Sequence, residues 1–131
     1  MLAAFRSKDT IELREVASSE PQENQVHIRI DACGVCGTDI HDDEPSSHRF
    51  GHEIAAVVTE VGPGVTHVQV GQTVVLDSAT PCGRCAMCKN GMQELCTDIQ
   101  SFYYLDQFGF AEEMNVPAIC VIPYEDRKSV V

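Results

Sequence analysis

Two groups of residues in this sequence are of the right types and spacing to do chemistry. The first lies within residues 33–53 and brings together a thiol (Cys36), a hydroxyl (Thr38), carboxylates (Asp39, Glu53) and imidazoles (His41, His52). Glycines stand beside two candidate ligands, as Cys36-Gly37 and Gly51-His52. A soft sulfur, a nitrogen and an acid are the usual inventory of a zinc site that does chemistry. The second group is Cys82, Cys85, Cys88 and Cys96, spaced Cys-x2-Cys-x2-Cys-x7-Cys. Short spacings let the backbone wrap one ion with its amides toward the sulfurs. Four thiolates fill a tetrahedral zinc with no open position, which marks a structural site. Gly83 and Gly91 supply the backbone freedom such a knuckle needs. Two disulfides in so short a loop are disfavoured in a reducing compartment. Ferredoxin-type iron–sulfur runs place the fourth cysteine differently.

Composition narrows the classes. The 131 residues are enough for one domain with a real core, and 44% of them are apolar. No apolar run approaches the roughly 20 residues of a membrane span. The opening MLAAFRSKDT has too short an apolar segment for a signal peptide, so a cytoplasmic location is expected. In a reducing cytosol, seven cysteines point to metal more than to disulfides. A net charge of −11 argues against a nucleic-acid partner, including for a zinc ribbon, and against an anionic membrane surface. Most of these carboxylates are read as keeping the domain soluble.

The elements that must position both groups are mostly short strands. Residues 1–5 and 11–16 are candidate strands, and the polar stretch 18–24 with Pro21 reads as a loop. The cleanest alternation is Val26, Ile28, Ile30, Ala32 against His27, Arg29, Asp31, with the apolar set expected on one face. His27 is therefore expected to face solvent. Residues 54–61 form a Val- and Ile-rich strand ending at Gly62-Pro63-Gly64, and 73–76 a short β-branched run. Helical possibilities are confined to 86–90 and 91–96, and extended segments are expected over 108–116 and 118–122, split by Pro117. A polar connection spans 42–49, and the tail 127–131 ends abruptly. The expectation is a mainly β domain, a barrel or sandwich with two working loops.

GVCGTDIH, then GHE, then the four-cysteine loop, in that order, resembles the zinc-dependent medium-chain alcohol dehydrogenases. The VGPGV turn and GFAEEMNVPA are similar to that family as well. The resemblance covers nearly all of 1–131 and corresponds to the family's N-terminal, GroES-like catalytic domain. It implies a partly open barrel with a structural-zinc lobe at about 81–97. The Cys-Gly-Thr-Asp-x-His run is closest to the threonine and polyol dehydrogenase branch. By resemblance, Cys36 and His52 ligate a catalytic zinc with Glu53 beside it as an alternating or outer ligand. Thr38 and His41 carry the substrate's proton to solvent. The chemistry is consistent: zinc with an open position polarises an alcohol oxygen, and a hydroxyl next to an imidazole can shuttle a proton. Hydride would leave for a nicotinamide cofactor, NAD or NADP.

Other residues have plainer readings. Cys33-x-x-Cys36 could suggest thioredoxin-like redox chemistry, but no βαβ pattern surrounds it, and Cys33 is read as a small core residue. Cys120 is read as buried packing, and His48 and His67 as lacking a metal role. Asp39 could cap the following turn or orient a zinc ligand. The chain also departs from the family. It shows no Gly-rich dinucleotide loop, because Gly62-Pro63-Gly64 is a strand-ending turn, so a nucleotide-binding Rossmann domain is not expected within these residues. The family's third catalytic-zinc ligand lies beyond the covered region, the connection between Cys36 and His52 is short, and Gln72 replaces a common acid. The expectation is therefore the catalytic portion of an NAD(P)-linked, zinc-dependent dehydrogenase acting on an alcohol, a polyol or a 3-hydroxy amino acid. The alternative is a zinc-binding GroES-like module without catalysis, acting as a scaffold or partner-binding domain. The zinc-free quinone reductase relatives are disfavoured because both ligand sets are kept. Oligomeric state is left open.

Overall fold

The computed structural model describes residues 1–41 and 46–124. The first half of the polar connection, residues 42–45, and the tail 127–131 lie outside the described residues.

The chain opens with a hairpin of β1 (Leu2–Ser7) and β2 (Thr10–Glu15), joined through the Ser7↔Thr10 pair. A two-residue strand, β4 (His48–Arg49), pairs on the far side of β1 to give a sheet of order β2-β1-β4. The second sheet has order β7-β3-β5-β6-β8, from β3 (Gln25–Gly34), β5 (Glu53–Val61), β6 (Thr73–Leu76), β7 (Glu113–Pro117) and β8 (Val121–Pro123). Its pairings are antiparallel, and its outer strands β7 and β8 leave it open, as a partly open barrel requires. The mainly β expectation holds.

Apolar alternation builds the core. Val26, Ile28, Val58, Val74, Phe102, Met114 and Val116 are all but completely buried and pack with Ile54, Ala56 and Val121. Burying each large aliphatic or aromatic side chain stabilises the fold by about 1.5–3 kcal/mol.

The alternation on β3 does not run to its end. The register shifts between Ile30 and Ala32, so Asp31 is the extra residue of a bulge. One inserted residue inverts the faces beyond it. Ala32, expected on the apolar face, is exposed, and Cys33 turns inward against the core. His27, expected to face solvent, is also buried. It lies opposite Asn115 on β7, and its Nδ1 is 2.7 Å from Asn115 Oδ1. Asn115 Nδ2 in turn donates to Ser19 C=O (2.9 Å) and Ser19 Oγ (3.0 Å), so the 18–24 loop folds over this side of the sheet.

Local elements near the ends of strands also differ from expectation. Residues 108–112 are not in a strand; β7 begins at Glu113, and the stretch after Pro117 is a 3-10 turn, Ala118–Cys120, before β8. A further 3-10 turn, Phe102–Leu105, is capped by Ser101, whose Oγ accepts from the Tyr103 N–H at 3.1 Å. Residues 73–76 are a strand as expected, and 54–61 gain one residue at the start.

Candidate metal centres

The β3–β5 ladder assembles the first centre. Its register runs from Val26↔Val61 to Gly34↔Glu53, so the loop leaving β3 meets the residues entering β5. Cys36 is the N-cap of a single helical turn, α1 (Gly37–Ile40), and His52 and Glu53 stand at the head of β5. Cys36, His52 and Glu53 each offer a ligand atom, all within 4.8 Å of one another. Glycine makes this approach feasible: a Cβ on Gly34 would lie 2.4 Å from Glu53 Oε2.

Asp39 ties the ligands together. One carboxylate oxygen accepts from the Cys36 N–H at 2.9 Å, and the other lies 3.9 Å from His52 Nδ1. It therefore caps the turn and also faces the imidazole, although it is itself buried. Cys33 is close in sequence but differs in chemistry. Burial raises its thiol to about 11, so it stays protonated at neutral pH and is a packing residue. Thr38 lies in α1 and His41 is its C-cap, three residues on and therefore on the same side. Both are exposed, and no hydrogen bond joins their side chains.

An open cleft of about 510 Å³ begins at His52 and Glu53 and runs along Ile54, Ala55, Val75 and Leu76 to Asp77 and Ser78. Tyr103, which sequence patterning missed, stands beside His52 at the head of this cleft. Its ring lies edge-on to His52 with centroids 6.3 Å apart and stacks on Phe108 at 5.4 Å. Burial raises its phenol above the ordinary range. The aromatic run Phe102-Tyr103-Tyr104 was the available signal, but only a long-range contact shows which ring faces the site.

The second centre holds Cys82, Cys85, Cys88 and Cys96, whose sulfurs all lie within 4.8 Å of one another. Cys85 Sγ and Cys96 Sγ are 3.9 Å apart, close to the edge of a tetrahedron with Zn–S of 2.3 Å, about 3.8 Å. Amides point at the sulfurs: Cys82 N–H to Cys96 Sγ (3.3 Å), Cys85 N–H to Cys82 Sγ (3.4 Å) and Cys88 N–H to Cys85 Sγ (3.5 Å). The knuckle is built from a helical turn, α2 (Ala86–Lys89), and a 3-10 turn, Gln93–Leu95, near the expected positions. Gly83 and Gly91 take φ of +70° and +78°, where a side chain would be strained. The amides of Cys88 and Thr97 lower the Cys85 thiol to about 5, while desolvation and the neighbouring sulfurs push Cys88 up to about 12. Four such groups cannot all ionise side by side without a cation, and the donor set fits zinc.

The remaining sequence candidates lie elsewhere. Cys120 is fully buried, His67 Nε2 is 2.9 Å from Ala118 C=O, and neither His67 nor His48 joins a metal-ligand cluster among the described residues. Gln72 Oε1 accepts from the Gln69 N–H at 2.8 Å, a local turn contact.

A fold of open antiparallel sheets carrying a Cys-His-Glu centre and a four-cysteine knuckle defines a zinc-dehydrogenase type of domain. Residues 22–126 match the family model of the alcohol dehydrogenase GroES-like domain, and the chain belongs to that family. It is 36% identical over 130 residues to an alcohol dehydrogenase of Geobacillus stearothermophilus, covering 93% of this chain and 39% of that protein. It is 36% identical over 129 residues to the L-threonine 3-dehydrogenase of Pyrococcus furiosus, covering 90% and 37% respectively. The solved short chain alcohol dehydrogenase of Escherichia coli CFT073, complexed with NADH, superposes with a TM-score of 0.80 at 27% identity, covering 97% of this chain and 39% of that one. The chain thus spans about two fifths of the length of these relatives. No helix among the described residues is long and apolar enough to cross a membrane.

Proposed function

We propose that this chain is the catalytic-domain portion of a zinc-dependent dehydrogenase that oxidises an alcohol, a polyol or a 3-hydroxy amino acid with NAD(P), in a reducing compartment such as the cytoplasm. The observation that carries the proposal is the convergence of Cys36, His52 and Glu53 at the mouth of a cleft. Cys36, His52 and Glu53 would hold a zinc there, with Glu53 as an alternating or outer ligand. A zinc bound there would act as a Lewis acid toward the substrate hydroxyl. Asp39 holds the Cys36 backbone and faces the His52 imidazole, fixing the orientation of two ligands. Thr38 would receive the proton from the substrate hydroxyl and His41, exposed at the end of the same turn, would pass it to solvent. Tyr103 and the Val75–Leu76 side of the cleft would exclude water from the substrate carbon.

Cys82, Cys85, Cys88 and Cys96 would hold a second, structural zinc. The names of the relatives support an alcohol or a hydroxy amino acid as substrate, and the NADH in the solved homologue supports a nicotinamide acceptor. The acceptor would bind to a nucleotide-binding domain outside these 131 residues.

Counting zinc per chain by elemental analysis tests the reading. The wild type should carry up to two. Cys85→Ser should lose one and destabilise the lobe, and His52→Ala should lose the other with the fold intact. A single zinc, indifferent to His52→Ala, would leave only the non-catalytic zinc module.

A further inference from the structure

The strand β2 is an edge of the first sheet, and its six residues are all exposed. Its hydrogen-bonding phase is fixed at the base of the hairpin. There the Val16 N–H donates to Met1 C=O (3.0 Å) and the Met1 amino group to Val16 C=O (3.2 Å). Stepping along the register by two makes Ala3↔Arg14, Phe5↔Glu12 and Ser7↔Thr10 the other hydrogen-bonded pairs. The N–H and C=O groups of Ile11, Leu13 and Glu15 therefore point away from β1, and no other backbone partner reaches them among the described residues. Two large aliphatic side chains stand on this edge, Ile11 at 65% and Leu13 at 71% exposure. The strand has no proline or lysine, and its charged residues, Glu12, Arg14 and Glu15, carry both signs, so they can pair as well as repel.

We infer that β2 pairs antiparallel with β2 of a second copy of this chain, with Leu13 on the two-fold axis. The edge can use its outward groups only if odd-numbered residues face one another, which leaves registers spaced by two residues. Leu13 opposite the partner's Leu13 puts Ile11 opposite the partner's Glu15 and Glu12 opposite the partner's Arg14, each of these twice. Sliding two residues one way sets Glu12 on the partner's Glu12; sliding the other way sets Arg14 on the partner's Arg14. Like charges directly opposite are unfavourable and opposite charges favourable, so charge selects the central register. Within one chain Arg14 Nη2 already lies 2.7 Å from Glu12 Oε2, so the pairing closes a four-charge square around the axis. On the other face, Leu13 of both copies meet on the axis with Ile11 diagonally beside them, and the Glu15 side chains stand at the outer ends of this strip. The contact is isologous, as a two-fold interface must be, and a single strand pair makes it a weak, reversible one.

Sedimentation velocity of the purified chain over a concentration series tests this, with circular dichroism checking that each variant keeps its fold. The wild type should show a monomer–dimer equilibrium. Leu13→Pro removes an outward N–H and spares the bonds to β1, and should give a monomer. Glu12→Arg alone and Arg14→Glu alone should each raise the dissociation constant about tenfold or more, because each sets like charges face to face twice. Mixed together, these two variants should associate with each other, because each then presents the opposite charges of its partner. A monomeric wild type overturns the inference. So does a dimer unaffected by the charge variants, or a mixture that fails to associate. Should Leu13→Pro unfold the hairpin, the charge pair decides alone.

Discussion

Gly34 lies directly opposite Glu53 at the end of the β3–β5 ladder, and the missing side chain of the one makes room for the carboxylate of the other. A Cβ there would stand 2.4 Å from Glu53 Oε2 and 3.0 Å from Glu53 Cβ. Glu53 is exposed and its carboxylate can swing away, so Gly34→Ala should displace the ligand more than it disturbs the fold. The expected outcome is a zinc affinity at the Cys36–His52–Glu53 centre lower by about tenfold or more, with thermal stability changed by under about 1 kcal/mol. Competition titration against a chelator reads the first, and chemical denaturation the second. An unchanged affinity would show that Glu53 is not a ligand.

Asp39 serves two neighbours at once, and the two services can be separated. Asp39→Asn keeps an oxygen that accepts from the Cys36 N–H but removes the charge facing His52. Asp39→Ala removes both. The alanine variant should lose about 1 kcal/mol of stability as the turn loses its cap, and the asparagine variant much less. Both should weaken zinc binding by about 10- to 100-fold, the usual effect of losing a partner that orients a ligand. Zinc binding that tracks stability alone, falling only for the alanine variant, would reduce Asp39 to a cap.

How far the sequence reaches is clear from which features depend on neighbours in the chain. The four-cysteine knuckle was legible because its ligands are close in sequence, and turns at Gly83 and Gly91 follow from that spacing. The strands at residues 54–61 and 73–76 were legible because β-branched runs are bounded by glycines. His27 and Ala32 were misplaced because period-two reading assumes an unbroken strand with one open face. A bulge at Asp31 inverts the faces, and a loop more than 80 residues from Asn115 in sequence covers His27. Tyr103 escaped for the same reason: its contact with His52 is long-range, between residues far apart in the chain.

Zinc binding at the knuckle should release protons at neutral pH. Without metal, Cys85 is held near 5 as a thiolate while Cys88 is pushed up to about 12 as a thiol. All four sulfurs must be deprotonated to ligate. Calorimetric zinc titrations in buffers of different ionisation enthalpy should therefore report at least one proton released per zinc near pH 7, with affinity falling as pH falls. Cys88→Ser should lower that release. Proton-neutral binding would contradict four-thiolate ligation.

Acid should loosen the loop that covers His27 before it unfolds the core. The hydrogen bond from Ser18 and the proximity of His27 lower the Glu113 carboxyl below its ordinary value, and its Oε2 lies 3.5 Å from His27 Nε2. A carboxyl depressed in the folded state contributes stability that is fully present above its unfolded value. That contribution is lost as pH falls through the folded value, so the loss belongs to the acid side of the carboxylate range. Glu113→Gln should therefore lower stability at pH 7 and match the wild type more closely at strongly acid pH. Because Asn115 Nδ2 fastens Ser19 to the same sheet edge, the residual loop contact should survive in Glu113→Gln and be lost in Asn115→Ala. Hydrogen exchange at Ser18 and Ser19, followed against pH, checks both statements. Equal pH dependence in the wild type and Glu113→Gln would remove Glu113 from the account and leave the Asn115 bonds to hold Ser19.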